Sequence, residues 1–248
     1  MLDPLIAKLE RSAALTDPER QALTTALARA RPLPPGTDIA VEGDATEACT
    51  VLLEGWAARY KLLDDGKRQI TGFIIPGDLC DLEGLLAGSM DHSVAALTTV
   101  TVAPVARDVL LALMERHPGI ARALRQDLLA EAAIAREWVL NVGRRSAYQR
   151  IAHVLCEIGV RLEAAGLASR SEFSFPVTQA DLADATGLTT VHVNRVLGNI
   201  RGDGLITWRS GKVVIPDWER LEQAGVFRPG YLRLNRGCRN SGATALLT

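Results

Sequence analysis

The 248-residue chain lacks the long apolar run that a membrane helix requires. Hydrophobic residues make up 48% of it and charged residues 23%, yet no stretch approaches the roughly 18 unbroken apolar residues of a bilayer span. The opening segment, MLDPLIAKLERS, also lacks the basic stretch, apolar run and cleavage site of a secretory signal. We therefore expect a soluble protein of the cytoplasm with no membrane partner.

Paired cysteines and catalytic signatures are missing as well. Cys49, Cys80, Cys156 and Cys238 are scattered without CxxC spacing, so we expect reduced thiols and no metal site. The four histidines are equally dispersed. There is no nucleophile elbow, histidine cluster or phosphate-cradling glycine loop. The sequence does not indicate an enzyme.

The chain has little net charge, but its charges are unevenly divided. Its formal net charge is −1. Residues 1–143 carry 14 basic and 20 acidic groups, whereas residues 144–248 carry 14 basic and 9 acidic groups. Only the C-terminal part has the sign that suits a polyanionic partner. The length favours two compact units joined by a connector.

The first half predicts two short helices followed by a β-rich region. Asp3-Pro4 is typical of a helix start, and Thr16-Asp17-Pro18-Glu19 is a capping box that also contains a proline. From residue 33 to 107, glycine repeatedly separates short runs of strand-forming residues. This pattern predicts an antiparallel β-roll, which is the sheet part of an α+β fold.

A long amphipathic helix is predicted from Pro118 to Val142, where glycine and proline almost vanish and Glu131 falls on the polar side. At about 1.5 Å per residue it would be roughly 40 Å long, more than a small β-domain covers. We therefore expect part of its apolar stripe to meet a second copy of the chain. Packing wholly within its own chain is the alternative. The predicted dimer contacts are Ile120, Leu124, Leu128, Ile134 and Trp138.

Residues 178–200, TQADLADATGLTTVHVNRVLGNI, predict a helix-turn-helix that follows a helix from Ala147 to Ala164. Thr178 can cap the first helix, and Gly187 permits a left-handed turn before the second. The apolar spacing matches two crossed helices. The residues expected to face inward are Leu182, Ala183, Leu188, Val193 and Val196.

The opposite face of the second helix suits a DNA major groove. An arginine binds guanine O6 and N7 with two hydrogen bonds, an asparagine reads adenine, and small apolar groups contact the thymine methyl. The predicted base-reading residues are Thr189, Thr190, Val191, Asn194 and Arg195. The predicted phosphate contacts are Thr178, Gln179, His192, Ser210 and Lys212. The last two lie at the turn of a predicted hairpin, or wing, from Leu205 to Ile215.

These patterns divide the chain into four parts. We expect a β-roll with N-terminal helices over residues 1–117, which we take as the sensory domain, and a dimerisation helix and hinge over residues 118–145. Residues 146–234 form a winged helix-turn-helix that binds DNA. Residues 235–248 are rich in glycine, asparagine and arginine, and we expect them to be a flexible tail.

This order of parts resembles the Crp/Fnr family of bacterial transcription regulators. The matching marks are Pro35-Gly36, Gly43-Asp44, Gly55, Asp65-Gly66, Pro76-Gly77-Asp78 and Val193-Asn194-Arg195. The resemblance implies a jelly-roll-like β-roll and a homodimer on a near-palindromic double-stranded operator. It also implies RNA polymerase as a partner and Arg195 as the reader of a guanine. Family branches usually place a glutamate where this chain has Val191, so we expect a different operator.

The sensory half departs from family members with known effectors. Where cyclic nucleotide binders carry Gly-Glu and Arg-Ser, this chain has Asp81-Leu82 and His92-Ser93. Leucine cannot accept a ribose hydroxyl, and histidine is a weaker phosphate partner than arginine. We therefore expect no dependence on cyclic AMP. The first 48 residues contain no cysteine, which argues against the iron-sulfur cluster of the oxygen-sensing branch.

The effector itself stays open. His92 or His117 could serve as an axial haem ligand, although a lone histidine is more often structural. Cys80 could respond to oxidation, or it could be a buried, inert thiol. The alternative function is a ligand-binding regulatory protein whose output is not DNA binding. The helix-turn-helix and the positive C-terminal half argue against that alternative.

Overall fold

The computed structural model describes residues 4–11, 13–27 and 29–234. Asp3, Cys238 and the predicted tail lie outside these residues. The helices are α1 (Pro4–Leu9), α2 (Asp17–Ala26), α3 (Leu82–Ala87), α4 (Arg107–Arg116), α5 (Pro118–Arg144), α6 (Ala147–Ala164), α7 (Gln179–Thr186), α8 (Thr190–Gly202) and α9 (Trp218–Ala224). The strands are β1 (Arg31–Leu33), β2 (Asp38–Ala40), β3 (Ala48–Glu54), β4 (Ala57–Leu62), β5 (Arg68–Ile74), β6 (Ser93–Ala96), β7 (Val100–Ala106), β8 (Glu172–Ser174), β9 (Thr207–Arg209) and β10 (Lys212–Val214).

The predicted antiparallel β-roll and the α+β fold class are confirmed. Strands β1-β7-β3 form one sheet and β2-β6-β4-β5 form another. Both sheets contribute to one apolar core, which includes Leu52, Ile74 and Val102. Gly55 adopts a φ of +84°, and a Cβ there would lie 2.3 Å from the Thr99 carbonyl oxygen. Only glycine fits this turn. The glycines at positions 36, 43, 66 and 77 also have positive φ values, which explains why glycine recurs between the strands.

The two N-terminal helices are also confirmed, and a glutamate ties the second of them to α5. Glu19 accepts hydrogen bonds from the backbone amides of Thr16 and Gly119, each at 2.8 Å. A Cβ at Gly119 would lie 2.4 Å from the Glu19 carboxylate. Helices α3 and α4 were not predicted. The first has only six residues, and the second follows β7 directly without glycine or proline at its start.

The apolar stripe of α5 is buried within its own chain, so the predicted set of dimer contacts needs correction. Ile120 and Leu124 are 0% and 1% exposed in a core built with α1, α2 and β3, and Leu128 packs against that core. Ile134 and Trp138 are buried in a second core with α6. The prediction assumed that only the β-roll could cover a helix of this length, whereas α1, α2 and α6 also cover it. The helix runs to Arg144, two residues beyond its predicted end.

The C-terminal part packs directly on the β-roll through aromatic rings. Helices α6 to α9 surround the small antiparallel sheet β8-β10-β9. The ring centroids of Trp56 and Phe175 lie 5.4 Å apart, and those of Phe73 and Phe175 lie 5.7 Å apart, both with edge-to-face geometry. These contacts hold the sensory sheets and the helix-turn-helix in one apolar core.

Candidate nucleic-acid interface

The predicted helix-turn-helix is formed by α7 and α8. Its cap at Thr178 and its turn at Gly187 are as the sequence predicts, whereas the cap of α8 was not predicted. The Thr178 hydroxyl accepts from the Asp181 amide at 3.1 Å. Gly187 ends α7 in a left-handed conformation with a φ of +64°. Thr189 then caps α8 by accepting from the His192 amide at 3.2 Å. The caps and the turn fix the entry angle of α8.

One side of α8 is buried and the other is open to solvent. Val193 and Ile200 are 0% exposed. On the outer side, Val191 is 82% exposed, and Thr190, Asn194 and Arg195 are also exposed. Among the predicted base-reading residues, Thr189 differs from the others because its hydroxyl already caps the helix.

Arg195 and Asn194 differ in how they are held. The guanidinium of Arg195 makes no hydrogen bond or ion pair within the described ranges. The Asn194 amide donates to the Gln179 side-chain oxygen at 3.1 Å, which joins the middle of α8 to the start of α7. A predicted base-reading residue and a predicted phosphate contact are therefore neighbours.

The predicted wing is present, with one difference in register. Ser210 and Gly211 form a two-residue turn with φ values of +49° and +74°, as in a type I′ hairpin. Lys212 is the first residue of β10 and not part of this turn, and its ammonium lies 2.5 Å from Glu172 of β8. This ion pair offsets the positive charge of Lys212, which the sequence suggested was free to contact a phosphate.

The wing and α8 enclose a cavity of about 350 Å³ near the predicted phosphate contacts. Gln179 and Ser210 line it, and so does Arg201 in the last turn of α8. Arg201 and Arg209 are exposed, and sequence reasoning singled out neither of them. The positive charge of the C-terminal half was the signal that could have found them, but it does not single out particular arginines.

Arg150 of α6 helps to fix the orientation of the helix-turn-helix by binding the end of α7. Its guanidinium donates to the Thr186 carbonyl at 2.9 Å and to the Arg145 carbonyl at 3.0 Å. The Tyr148 hydroxyl donates to Asp203, which follows α8, at 2.6 Å. Burial and the Asp203 carboxylate raise the pKa of Tyr148 to about 12, so this donor stays protonated at neutral pH.

A buried ionic cluster joins the sensory half to the DNA-binding half. Arg161 of α6 lies 2.7 Å from Asp78, and Lys8 of α1 lies 2.9 Å from the same carboxylate. Burial opposes ionisation of Asp78, but the charges of Lys8 and Arg161 outweigh it and lower its pKa to about 2. We call this set the junction cluster, and its members are Lys8, Arg59, Asp78, Asp127, Glu131, Glu157 and Arg161.

The junction cluster continues into the C-terminal part as a chain of hydrogen bonds. Glu157 accepts from the Trp138 indole at 3.1 Å and from the Tyr231 hydroxyl at 2.7 Å. The Tyr231 oxygen lies 3.0 Å from His153 Nε2. Burial raises the pKa of Glu157. Sequence reasoning placed Glu131 on a polar face of α5, whereas its carboxylate pairs with Arg59 of β4.

The sensory cavity between β4, β5 and α5 has a volume of about 360 Å³. Arg59 lines it, is only 7% exposed, and donates to Glu131 at 2.9 Å and to the Leu79 carbonyl at 2.7 Å. His92 also lines the cavity, and its Nδ1 lies 2.6 Å from Asp91. Leu82 is instead 1% exposed within an apolar core. A cyclic nucleotide would find no carboxylate at that position for its ribose.

The described cysteines do not fit an iron-sulfur cluster. Cys156, Cys49 and Cys80 belong to three different apolar cores. Burial raises the pKa of each thiol, whereas cluster ligands are thiolates. In residues 4–11, 13–27 and 29–234, no three His, Cys, Asp or Glu side chains are grouped to hold a metal ion. His92 and His117 line different cavities.

No helix in the part of the chain that the structure describes is long and apolar enough to cross a membrane.

A β-roll, a long connecting helix and a winged helix-turn-helix together define a DNA-binding transcription regulator. Sequence comparisons agree, because a cyclic nucleotide-binding domain matches residues 30–117 and a Crp-like helix-turn-helix domain matches residues 149–224.

Curated relatives match most of the chain. The nitrogen fixation regulation protein FixK of Bradyrhizobium diazoefficiens is 33% identical over 187 residues, which cover 75% of this chain and 78% of that protein. The transcriptional activator protein FnrL of Cereibacter sphaeroides is 29% identical over 202 residues, covering 79% and 81%. The structure of FixK2 from Bradyrhizobium japonicum matches with a TM-score of 0.72 and 27% identity, covering 79% and 96%. The chain belongs to the Crp/Fnr family, whose members are transcription regulators and not enzymes.

Proposed function

We propose that this regulator acts as a homodimer whose two α8 helices read the half-sites of a near-palindromic operator in the cytoplasm. The observation that carries the proposal is the exposed guanidinium of Arg195, which is unpaired among the residues that the structure describes and lies beside Asn194 on an open helix face. A free guanidinium is available for two hydrogen bonds to a guanine. Thr190 and Val191 are also exposed on α8, and their methyl groups suit contact with a thymine methyl.

The phosphate contacts are proposed at the edges of this face. Thr178 and Gln179 lie at the start of α7, where helix amides favour anions. His192 is half-buried beside the base-reading residues, and Ser210 lies at the tip of the wing. Lys212 would have to exchange Glu172 for a phosphate, so we assign it a smaller contribution.

We propose that the second copy packs on the outer face of α5. Positions 129, 132, 136, 139 and 143 are exposed, and their spacing alternates between three and four residues, as in a coiled-coil seam. Leu129, Val139 and Leu140 are 47%, 71% and 45% exposed. This face replaces the buried stripe that the sequence suggested. We propose the division into residues 1–117, 118–145, 146–234 and 235–248 from the sequence, and the last of these parts lies outside the described residues.

The regulator is proposed to work without cyclic AMP and to contact RNA polymerase. Arg59 is committed to Glu131 and to the Leu79 carbonyl. Leu82 stands where a glutamate would accept the ribose hydroxyl and offers no polar group, so that contact is missing. The relative FnrL is named a transcriptional activator, which supports RNA polymerase as a partner.

Footprinting on the DNA upstream of the protein's own gene, repeated at several salt concentrations, tests this function. We expect protection of two half-sites one helical turn apart, and affinity should fall steeply as salt rises. If no DNA is bound in a salt-dependent manner, the proposal is wrong and a regulatory output other than DNA binding is favoured.

A further inference from the structure

An arginine of the sensory β-roll binds two carboxylates of the helix-turn-helix. Arg68 is the first residue of β5. Its Nη2 donates to Asp181 at 2.6 Å and its Nε donates to Asp184 at 2.8 Å. Both aspartates belong to α7, one turn apart. A single planar guanidinium therefore spans two carboxylates across the boundary between the two halves.

The Arg68 side chain also contacts a residue of its own β-roll, which helps to hold it in position. Its guanidinium carbon lies 6.0 Å from the centre of the Tyr60 ring, and the Tyr60 hydroxyl is fixed by Asp38 at 2.8 Å. The Arg68 side chain is 29% exposed, and Asp181 is 13% exposed. The contact is thus partly shielded from solvent, which strengthens it relative to a surface ion pair.

The two carboxylates place negative charge on a helix that is proposed to approach the DNA phosphates. Segment 178–200 contains two acidic residues, Asp181 and Asp184, and one basic residue, Arg195. Helix α7 itself, QADLADAT, contains no basic residue. DNA carries a negative charge about every 1.7 Å of its axis, so uncompensated carboxylates on α7 would oppose binding at the phosphate contacts proposed for Thr178 and Gln179.

We propose that Arg68 is a positioning residue for DNA binding, supplied by the sensory β-roll, which offsets one of the two negative charges of Asp181 and Asp184 and so lets α7 approach the phosphate backbone. The inference rests on the proposed function for the place of α7 at the DNA. It adds that the sensory half contributes directly to DNA affinity.

Lys67 provides a matched control for Arg68. It is the neighbouring residue and has the same charge, but its ammonium pairs with Asp65 at 2.6 Å and it is exposed. Replacing either residue with alanine removes one positive charge from the same hairpin. Only the Arg68 variant exposes the carboxylates of α7.

The test measures operator affinity of the full-length protein by fluorescence anisotropy at low and high salt. Arg68→Ala is expected to weaken binding about tenfold at low salt, with the deficit shrinking as salt screens the repulsion. Lys67→Ala should stay within about twofold of the unsubstituted protein. Arg68→Lys, which keeps the charge, should recover most of the affinity.

A charge-removal variant separates this role from a merely structural one. Adding Asp181→Asn and Asp184→Asn to Arg68→Ala changes the charge of this group from −2 to 0, against −1 in the unsubstituted protein. The affinity should therefore return at least to the unsubstituted level, while the amide oxygen introduced at position 181 can still accept from the Thr178 hydroxyl. Unchanged affinity of Arg68→Ala, an equal loss in Lys67→Ala, or failure of the asparagines to rescue would each overturn the inference. If Arg195→Ala loses operator preference while Arg68→Ala binds normally, the proposed function stands and only this inference fails.

Discussion

Asp78 and Arg161 form an ion pair of 2.7 Å in which the two side chains are only 3% and 8% exposed. Asp78 belongs to the Pro76-Gly77-Asp78 turn after β5, and Arg161 belongs to α6, the first helix of the C-terminal part. Arg161 also lines the sensory cavity. The pair therefore connects a turn of the β-roll and the wall of the cavity to the DNA-binding half.

Substitution of Asp78 by Asn should destabilise the whole protein by about 3 kcal/mol, because it leaves the buried charges of Arg161 and Lys8 without their shared partner. Chemical denaturation monitored by tryptophan fluorescence measures this effect. Asp44→Asn, at an exposed turn, removes the same charge and should change the free energy of unfolding by less than about 0.5 kcal/mol. Equal stability of the two variants would contradict a structural role for the junction cluster.

Acidification should destabilise the protein through His153. Its burial and the nearby charge of Arg145 lower its pKa to about 3, whereas an unfolded histidine titrates near 6.5. Between these values the unfolded chain binds the extra proton, so stability is fully present above pH 6.5 and falls below it, by up to about 1.4 kcal/mol per pH unit.

Measuring the free energy of unfolding from pH 7.5 to 5 checks this dependence. His153→Gln removes the titrating group, so the difference between the variant and the unsubstituted protein should shrink steadily below pH 6.5. A constant difference across that range would show that folding does not lower the pKa of His153.

The helix-turn-helix was predictable because its determinants are local. The cap at Thr178, the left-handed Gly187 and the buried Val193 all lie within segment 178–200. The cap at Thr189 lies there too, but Thr189 was predicted only as a base-reading residue. The β-roll was predictable for a similar reason, since the glycines at its turns, such as Gly55, have the positive φ values that other residues rarely adopt.

The packing between the halves could not be predicted from periodicity. Arg68 and Asp181 are 113 residues apart in sequence, and Arg161 and Asp78 are 83 apart. A helical pattern shows that α5 has an apolar stripe but not which element covers it, so Leu124 was assigned to a dimer contact although it lies in the core beneath α1 and α2. Side-chain partners across long loops are set by the docking of whole elements.

Charge on the outer face of α5 should dissociate the dimer without unfolding the chain. Val139→Glu, alone or with Leu129→Glu, places carboxylates on the proposed seam, and like charges meet across it in a symmetric dimer. Sedimentation should then show monomers with normal circular dichroism and weakened operator binding.

Leu111→Glu is the control for this prediction, because Leu111 is also exposed, at 40%, but lies on α4. It should leave the dimer intact. Leu124→Glu should instead unfold the protein, since its side chain is 1% exposed. A Val139→Glu protein that remains dimeric would rule out this face as the seam.

Cyclic AMP should produce no stoichiometric heat in isothermal titration calorimetry and no change in operator affinity. The physical reason is that Leu82 is buried in an apolar core, and that Arg59, which lines the sensory cavity, is already paired with Glu131. Tight binding at one nucleotide per chain would contradict the proposed independence from cyclic AMP.

The base preference of Arg195→Ala on a randomised operator library tests the central proposal most directly. Arg116→Ala, at an exposed position on α4, removes the same charge away from α8 and serves as its control. The account predicts that Arg195→Ala loses about 1–3 kcal/mol on the selected operator and no longer prefers one guanine in each half-site, while remaining dimeric. Selection of the same guanine with unchanged affinity would contradict it.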